Sequence, residues 1–264
     1  MLDTYSGATR VIFIVGSPIE QVKSPQGVTR ALRARGRDAV VVPAHVEPAD
    51  LADFFSIAAR MPNVDGILVT VPHKFAALRA CESATDRARS IGAVNVARRR
   101  AGGGTGWHGD MCDGAGHVQG LRNAGFEPRG ARVLLVGAGG AGSAIAHALV
   151  EATLAALSIV DPDAVRREAL SAKLRGHGEV VPQAGSTDPR GFDLVVNASP
   201  LGMRVHDPLP IDVDLLEASC FVSDVVTVPE VPPLIARARE RGCRTMTGTA
   251  MFEAVRDEIV AFYR

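Results

Sequence analysis

Apolar residues fall into blocks with two different periods. Residues 11–15, 39–42 and 66–71 are nearly continuous and rich in Val and Ile, the pattern of strands covered on both faces. Between them, apolar side chains recur every three or four residues. Leu51, Phe54, Phe55 and Ala58 form one stripe of a predicted helix over 48–60. Ser24 and Pro25 read as the N-cap and first position of an earlier helix, which runs to about Arg35 and stops at Gly36. Pro72-His73-Lys74 ends the third strand, and helical pieces over 75–81 and 84–90 follow. Residues 93–97, with Asn95 inside the strand, and 106–108 read as a hairpin. A connecting helix over 110–125 has a domain boundary near its start.

A second alternation begins at Arg132. Strands are predicted over 132–136, 157–161, 192–197 and 220–224, and helices over 143–150, 164–174 and from Pro232 or Pro233 to about Arg241. The segment 251–263 is amphipathic, with Met251, Val255, Ile259 and Phe262 on one face. Coming so late, it is expected to pack back on the first domain. Strands alternating with helices define an α/β protein with largely parallel sheets.

Composition excludes several classes. The 264 residues have a net charge of +0 and a pI of about 7.1, so no strong field favours nucleic acid or an anionic membrane. Aromatic residues are 5%, too few to suggest base stacking. Arg98-Arg99-Arg100 beside the 102–104 glycines reads as a solvated hairpin tip. Cys81, Cys112, Cys220 and Cys243 form no CxxC pair, which argues against zinc and a disulfide scaffold and suits a reducing cytoplasm. The start of the chain carries Asp3 and no basic segment leading into a long apolar run, so neither a signal segment nor a membrane span is expected.

The chemistry starts at Gly137-x-Gly139-x-x-Gly142, between a buried strand and a helix. Gly137 permits a tight turn, Gly139 lets backbone approach a pyrophosphate, and Gly142 lets the helix lie close on the strand. The helix N-terminus then offers unpaired N–H groups and a positive dipole end. Asp161 ends the next strand, where an acid binds the ribose 2′-hydroxyl of NAD and repels a 2′-phosphate; capping the helix that follows is its other reading. NAD is favoured, with Arg166 and Arg167 near enough to admit NADP. Lys74 follows a strand end, where open α/β sheets bind ligands, although an isolated Lys there also suits plain surface. Asn95, in an apolar stretch, is a satisfied turn residue or a site residue, and Asp113 alone is a helix-start acid.

Taken together these residues resemble the shikimate dehydrogenases and the related quinate/shikimate dehydrogenases. The matches run through most of the chain in order: Gly16-Ser-Pro-Ile19 with Lys23-Ser-Pro25, Val69-Thr-Val-Pro-His-Lys74, Gly92-Ala-Val-Asn95, Asp113-Gly-Ala-Gly116, Gly137-Ala-Gly-Gly140, Asn197-Ala-Ser-Pro-Leu-Gly-Met203, and Asp224-Val-Val with Pro229 and Pro233-Leu234. The resemblance implies a substrate-binding α/β domain over 1–109 with 245–264 packing back on it, and a Rossmann-type NAD(P)-binding domain over 110–244, the active site lying in the cleft. It implies Lys74 and Asp113 as the catalytic pair, with Ser24, Thr70, Asn95 and Thr227 on the substrate. Gly137, Gly139, Gly140, Ala141, Asp161, Asn197, Ser199 and Met203 would hold the cofactor, and no metal is expected.

The departures are as informative. The family usually has a second hydroxyl at the position of Val22, an Asn at Leu68, a Tyr at Thr227 and a Gln near Val255, with Glu253 close by. Each lost hydrogen bond is worth about 1 kcal/mol, and more where a charge is involved. His73 or His108 could serve as replacement anchors. The expectation is therefore an NAD-preferring, or NADP-using, oxidoreductase acting on a small cyclic hydroxy acid through a remodelled pocket. Shikimate comes first, with quinate or a less polar ring acid next, in a cytoplasmic monomer or homodimer. A dinucleotide-binding sensor without turnover is the alternative.

Overall fold

The computed structural model describes residues 5–100, 106–178 and 180–263. The chain divides into two compact units, Met1–Cys112 with Arg256–Arg264, and Asp113–Val255. Asp3 and the 102–104 glycines lie outside the described residues.

Unit 1 contains β1 (Arg10–Gly16), α1 (Ser24–Arg33), β2 (Ala39–His45), α2 (Leu51–Ala59), β3 (Val64–Val69), α3 (Lys74–Ala80), β4 (Ser83–Ala84), α4 (Asp86–Ile91), β5 (Val96–Arg99) and β6 (Trp107–Asp110). Its sheet runs β2-β1-β3-β5-β6-β4. The β2-β1-β3 part is parallel, as alternation with helices demands. The rest is mixed: β5 is antiparallel to both β3 and β6, and the two-residue β4 is parallel to β6. β4 was too short to carry a readable period. The chain's last residues complete this unit. Tyr263 lies directly over Gly66, where a Cβ would overlap its ring, and donates its hydroxyl to Ala97 O at 3.0 Å.

Unit 2 contains α5 (Asp113–Asn123), β7 (Arg132–Val136), α6 (Gly140–Glu151), β8 (Ala156–Val160), α7 (Ala164–Leu174), β9 (Gln183–Ala184), β10 (Leu194–Asn197), β11 (Phe221–Asp224), α8 (Pro233–Glu240), β12 (Arg244–Met246) and α9 (Gly248–Phe262), whose final residues belong to unit 1. Its six strands are all parallel, in the order β12-β11-β10-β7-β8-β9. Reading outward from β7, the chain winds one way through β8 and β9, then returns to β10 and winds the other way. That is the doubly wound order of a Rossmann fold, and its reversal lies between β7 and β10. The strands there are covered on both faces: Val133, Leu134, Leu135, Val195, Val196 and Val222 are all fully buried.

Four local expectations are corrected. Ser24 is not a cap: Lys23 occupies that position without a side-chain bond, and Ser24 is the first helical residue, buried. Asn95 is not in a strand; β5 starts one residue later. Arg99 is not solvated. It donates to the carbonyls of Ala58, Ala59, Met61 and Val64, and its guanidinium lies over the Trp107 ring. A basic side chain on the last carbonyls of α2 satisfies groups the helix cannot satisfy itself. The cap of α7 is Asp163, whose carboxylate accepts from Arg166 N–H, so Asp161 is left for another task.

Candidate functional site

In unit 2 the glycine turn sits between strand and helix as the spacing anticipated, and the structure gives Gly137 and Gly142 a steric cause. Gly137 has φ of 102°, and a Cβ there would meet the Ala198–Ser199 peptide at 2.8 Å. A Cβ at Gly142 would overlap the Gly137 carbonyl, so only glycine lets α6 start this close to β7. Gly139, the N-cap of α6, has open space where its Cβ would point. Gly140 and Ala141 begin the helix, both half-buried. A twelve-residue helix with bare N–H groups facing an open glycine turn fits a pyrophosphate.

Asp161 lies one residue past β8, 6% exposed. One carboxylate oxygen accepts Ala138 N–H at 2.7 Å and the other accepts Asp163 N–H at 2.9 Å. The residue therefore ties the glycine turn to the start of α7. Arg166 approaches it at 3.9 Å and Asp163 at 3.5 Å. Spacing alone could suggest a ribose ligand there, but not this latch.

On the other side of the reversal, Asn197 ends β10, in register with Val136 and Asp224. Its amide is used four times. The oxygen accepts from Ser199 N–H at 3.1 Å and Ser199 Oγ at 2.6 Å, and the NH2 donates to Leu201 O at 3.0 Å and Asp224 Oδ2 at 3.1 Å. Asn197 thus shapes the loop that leads to Met203, which is exposed. Asp224 is fully buried, and its other oxygen accepts Val226 N–H at 2.9 Å. Burial pushes its carboxyl up to about 7. Thr227, half-buried, follows this turn. Asp224 lies in one of the matched motifs, but the sequence assigned it no role; its burial and its bond to Asn197 appear only in the fold.

Asp113 is the first residue of α5 and is buried. The glycines after it are packing devices. A Cβ at Gly114 would overlap the Ala144 carbonyl of α6, and one at Gly116 would overlap Val255 of α9. Close backbone contact with two helices fixes the start of α5. Behind it, His117 is fully buried, between Met251 Sδ at 3.4 Å and Ser223 Oγ at 3.4 Å, and burial drives its imidazole down to about 3.

In unit 1, Thr70 follows β3 and Lys74 opens α3, both half-buried. Thr70 N–H donates to Val15 O, and Lys74 O accepts Val94 N–H at 2.9 Å, which brings the α3 start beside the residue preceding Asn95. Asn95 is 5% exposed. Its Oδ1 accepts Cys112 N–H at 2.8 Å, its N–H donates to Asp110 O, and its carbonyl accepts from Val69 N–H. It braces the last residue of unit 1, from which the chain passes straight into Asp113. Asp110 is held in turn by Arg87 at 2.7 Å and by Thr85. The structure thus gathers Thr70, Lys74 and Asn95 at one edge of the unit 1 sheet, while Ser24 lies in the first turn of α1.

The two histidines named as replacement anchors are each engaged within unit 1. His73 is 1% exposed, with Nε2 against Val46 O at 2.7 Å. His108 stacks on Phe262 and bonds Ser83 through Nδ1. Among the lost polar positions, Leu68 and Val255 are core side chains, 2% and 6% exposed, whereas Val22 and Thr227 are half-buried. Among the described residues no group of three His, Cys, Asp or Glu could hold a metal, and no helix is long and apolar enough to cross a membrane.

Fold and site define a two-unit α/β protein whose second unit is built to hold a dinucleotide. Residues 14–97 match the family model described as the shikimate dehydrogenase substrate binding domain. The chain is 36% identical over 259 residues to a shikimate dehydrogenase (NADP(+)) of Geobacter sulfurreducens, covering 95% of this chain and 89% of that one. Two solved structures are each 28% identical and each cover 97% of this chain. They are a quinate dehydrogenase from Corynebacterium glutamicum in complex with NAD, of which 93% is covered with a TM-score of 0.85, and a 5-ketofructose reductase of a Gluconobacter strain in ligand-free form, of which 92% is covered with a TM-score of 0.83. The chain belongs to the shikimate dehydrogenase family.

Proposed function

We propose that this chain is an NAD(P)-dependent oxidoreductase that interconverts a secondary alcohol on a small cyclic hydroxy acid, shikimate or a close analogue, and its ketone. The observation that carries the reading is the glycine turn with its Asp161 latch, joined in one chain to the Thr70–Lys74–Asn95 sheet edge and Asp113. A bound nicotinamide would take up or give back the hydride; the chain's residues do the rest. Lys74 and Asp113 are the two groups this reading assigns to the reacting hydroxyl and its proton. Asn95 keeps the entry to Asp113 in place through Cys112 N–H. Ser24, Thr70 and Thr227 contact the substrate; Ser199 and Met203 line the nicotinamide end, on the loop that Asn197 holds.

NAD is the preferred cofactor in this reading, because the Asp161 and Asp163 carboxylates both oppose a 2′-phosphate. Arg166, between them, gives NADP a foothold. A cofactor panel on the purified chain reads this as a ratio of kcat/KM values. Val22, half-buried, offers no hydroxyl where the family usually has one, which supports a less polar substrate contact there. The shikimate dehydrogenase relative at 36% identity supports shikimate first, and the quinate dehydrogenase and 5-ketofructose reductase neighbours support other hydroxylated substrates next. Four cysteines without a disulfide fit a reducing cytoplasm, and a monomer or homodimer is expected.

The test is Lys74→Ala. The enzyme reading expects kcat to fall by about 10²-fold or more while cofactor binding persists. A chain that turns over nothing in a panel of shikimate, quinate and cyclohexene carboxylates, yet still responds to a dinucleotide, would be the sensor instead.

A further inference from the structure

The two halves of a dinucleotide are oriented by the unit 2 sheet. The α6 N-terminus takes the pyrophosphate, and the Asp161 latch marks the adenosine side, over β8. The nicotinamide half then runs the opposite way, over the ends of β10 and β11. At that end stands a buried carboxylate with no countercharge. Asp224 is 0% exposed, accepts from Asn197 Nδ2 and Val226 N–H, and has no Lys, Arg or His nitrogen within 4 Å among the described residues. Both of its oxygens face N–H donors, so this geometry suits the anion. A protonated acid would have to aim its O–H at one of them. An anion without a cation in a dry site is costly. The two forms of a nicotinamide cofactor differ at the ring by one positive charge, which the oxidised form carries.

We propose that Asp224 supplies the negative charge against which the oxidised, cationic nicotinamide ring binds, so that unit 2 holds the oxidised cofactor at least as tightly as the reduced one. The inference rests on the reading that a nicotinamide dinucleotide occupies the β7/β10 reversal. It adds a redox bias to what the Asn197 network would otherwise be, a brace for the 198–202 loop. The two roles separate cleanly. Loss of a brace loosens the loop for either form of the cofactor; loss of a charge acts on the cationic form. The same charge favours the side of the reaction in which alcohol substrate meets oxidised cofactor.

The experiment uses Asp224→Asn in the full chain at about pH 8, where the Asp224 carboxyl, raised by burial to about 7, is ionised. Direct binding of oxidised and reduced cofactor and of ADP-ribose is followed by calorimetry, for the NAD and NADP pairs. The dissociation constant of the oxidised form is expected to rise about tenfold, with the reduced form and ADP-ribose within about twofold of native. Equal weakening of both forms, or an unchanged oxidised form, overturns the proposal. A second measurement needs no variant: a native chain that binds the reduced form about tenfold or more tightly than the oxidised form overturns it too. If the native chain binds neither the cofactors nor ADP-ribose, the dinucleotide reading falls as well. If it binds them without the redox bias, this inference alone falls.

Discussion

The Asp161 carboxylate accepts the Ala138 N–H at 2.7 Å, so the acid at the end of β8 also fixes the shape of the glycine turn. Asp161→Ala leaves two backbone N–H groups without acceptors in a nearly buried place. A loss of about 2 kcal/mol in unfolding free energy is expected, together with weaker binding of NAD and NADP alike. Denaturant unfolding and cofactor titration check both. A clean exchange of NAD for NADP preference at unchanged stability would mean that the carboxylate only reads the ribose.

Gly116 is the contact point of α5 and α9, and a methyl there would meet Val255 backbone as well as side chain. Gly116→Ala should destabilise by about 1–3 kcal/mol, and adding Val255→Ala should restore little of it, because Val255 N lies only 2.8 Å from where the methyl would sit. Full restoration in the double variant would show that side-chain crowding alone was at issue.

His117 gives unit 2 an acid weakness. The imidazole is neutral in the folded chain down to about pH 3, because burial disfavours its charge, whereas the unfolded chain takes up a proton near 6.5. A depressed folded value means stability that is complete above 6.5 and is lost as pH falls from there toward 3. His147, lowered to about 4 chiefly by burial, acts in the same direction. Asp224 acts oppositely. Its carboxyl is raised to about 7, so its contribution is present below 3.8 and fades as pH rises through 7. His117→Leu should flatten the acid side of a stability-against-pH curve. If the melting temperature between pH 6.5 and 4.5 falls as steeply as in the native chain, the imidazole is not the cause.

Tyr263 reaches into unit 1 across Gly66, where it is buried and donates to Ala97 O. Tyr263→Phe should cost about 1 kcal/mol, the worth of one such bond. Gly66→Val should cost several times more, because it displaces the whole ring. Equal melting temperatures for the two variants would contradict that ranking.

The sequence made the architecture readable where a residue acts through its own backbone or its near neighbours. Gly137 and Gly142 could be assigned duties because a positive φ at the turn and the close start of the next helix are local matters, and α7 runs over the expected 164–174. What stayed hidden depends on register between distant strands. Asn197 meets Asp224 only because β10 and β11 pair with those residues opposite each other. Arg99 looked like part of a solvated tip because the carbonyls it serves belong to another element some forty residues earlier. The family resemblance supplied the roles of Lys74 and Asp113. It could not supply the fact that Leu68 and Val255 are core residues, which only burial reveals.

Because α9 passes out of unit 2 at Val255 and ends within unit 1, unit 1 is begun before unit 2 yet cannot close until unit 2 has been made. Its sheet waits, with the strip over Gly66 bare, until the ninth residue from the end has been added and the few after it have emerged. Unit 2 has all of its own chain before then. Nascent chains of this protein should therefore be most vulnerable to proteases in their N-terminal half throughout synthesis, reversing the usual order in which the leading domain is the first to be protected.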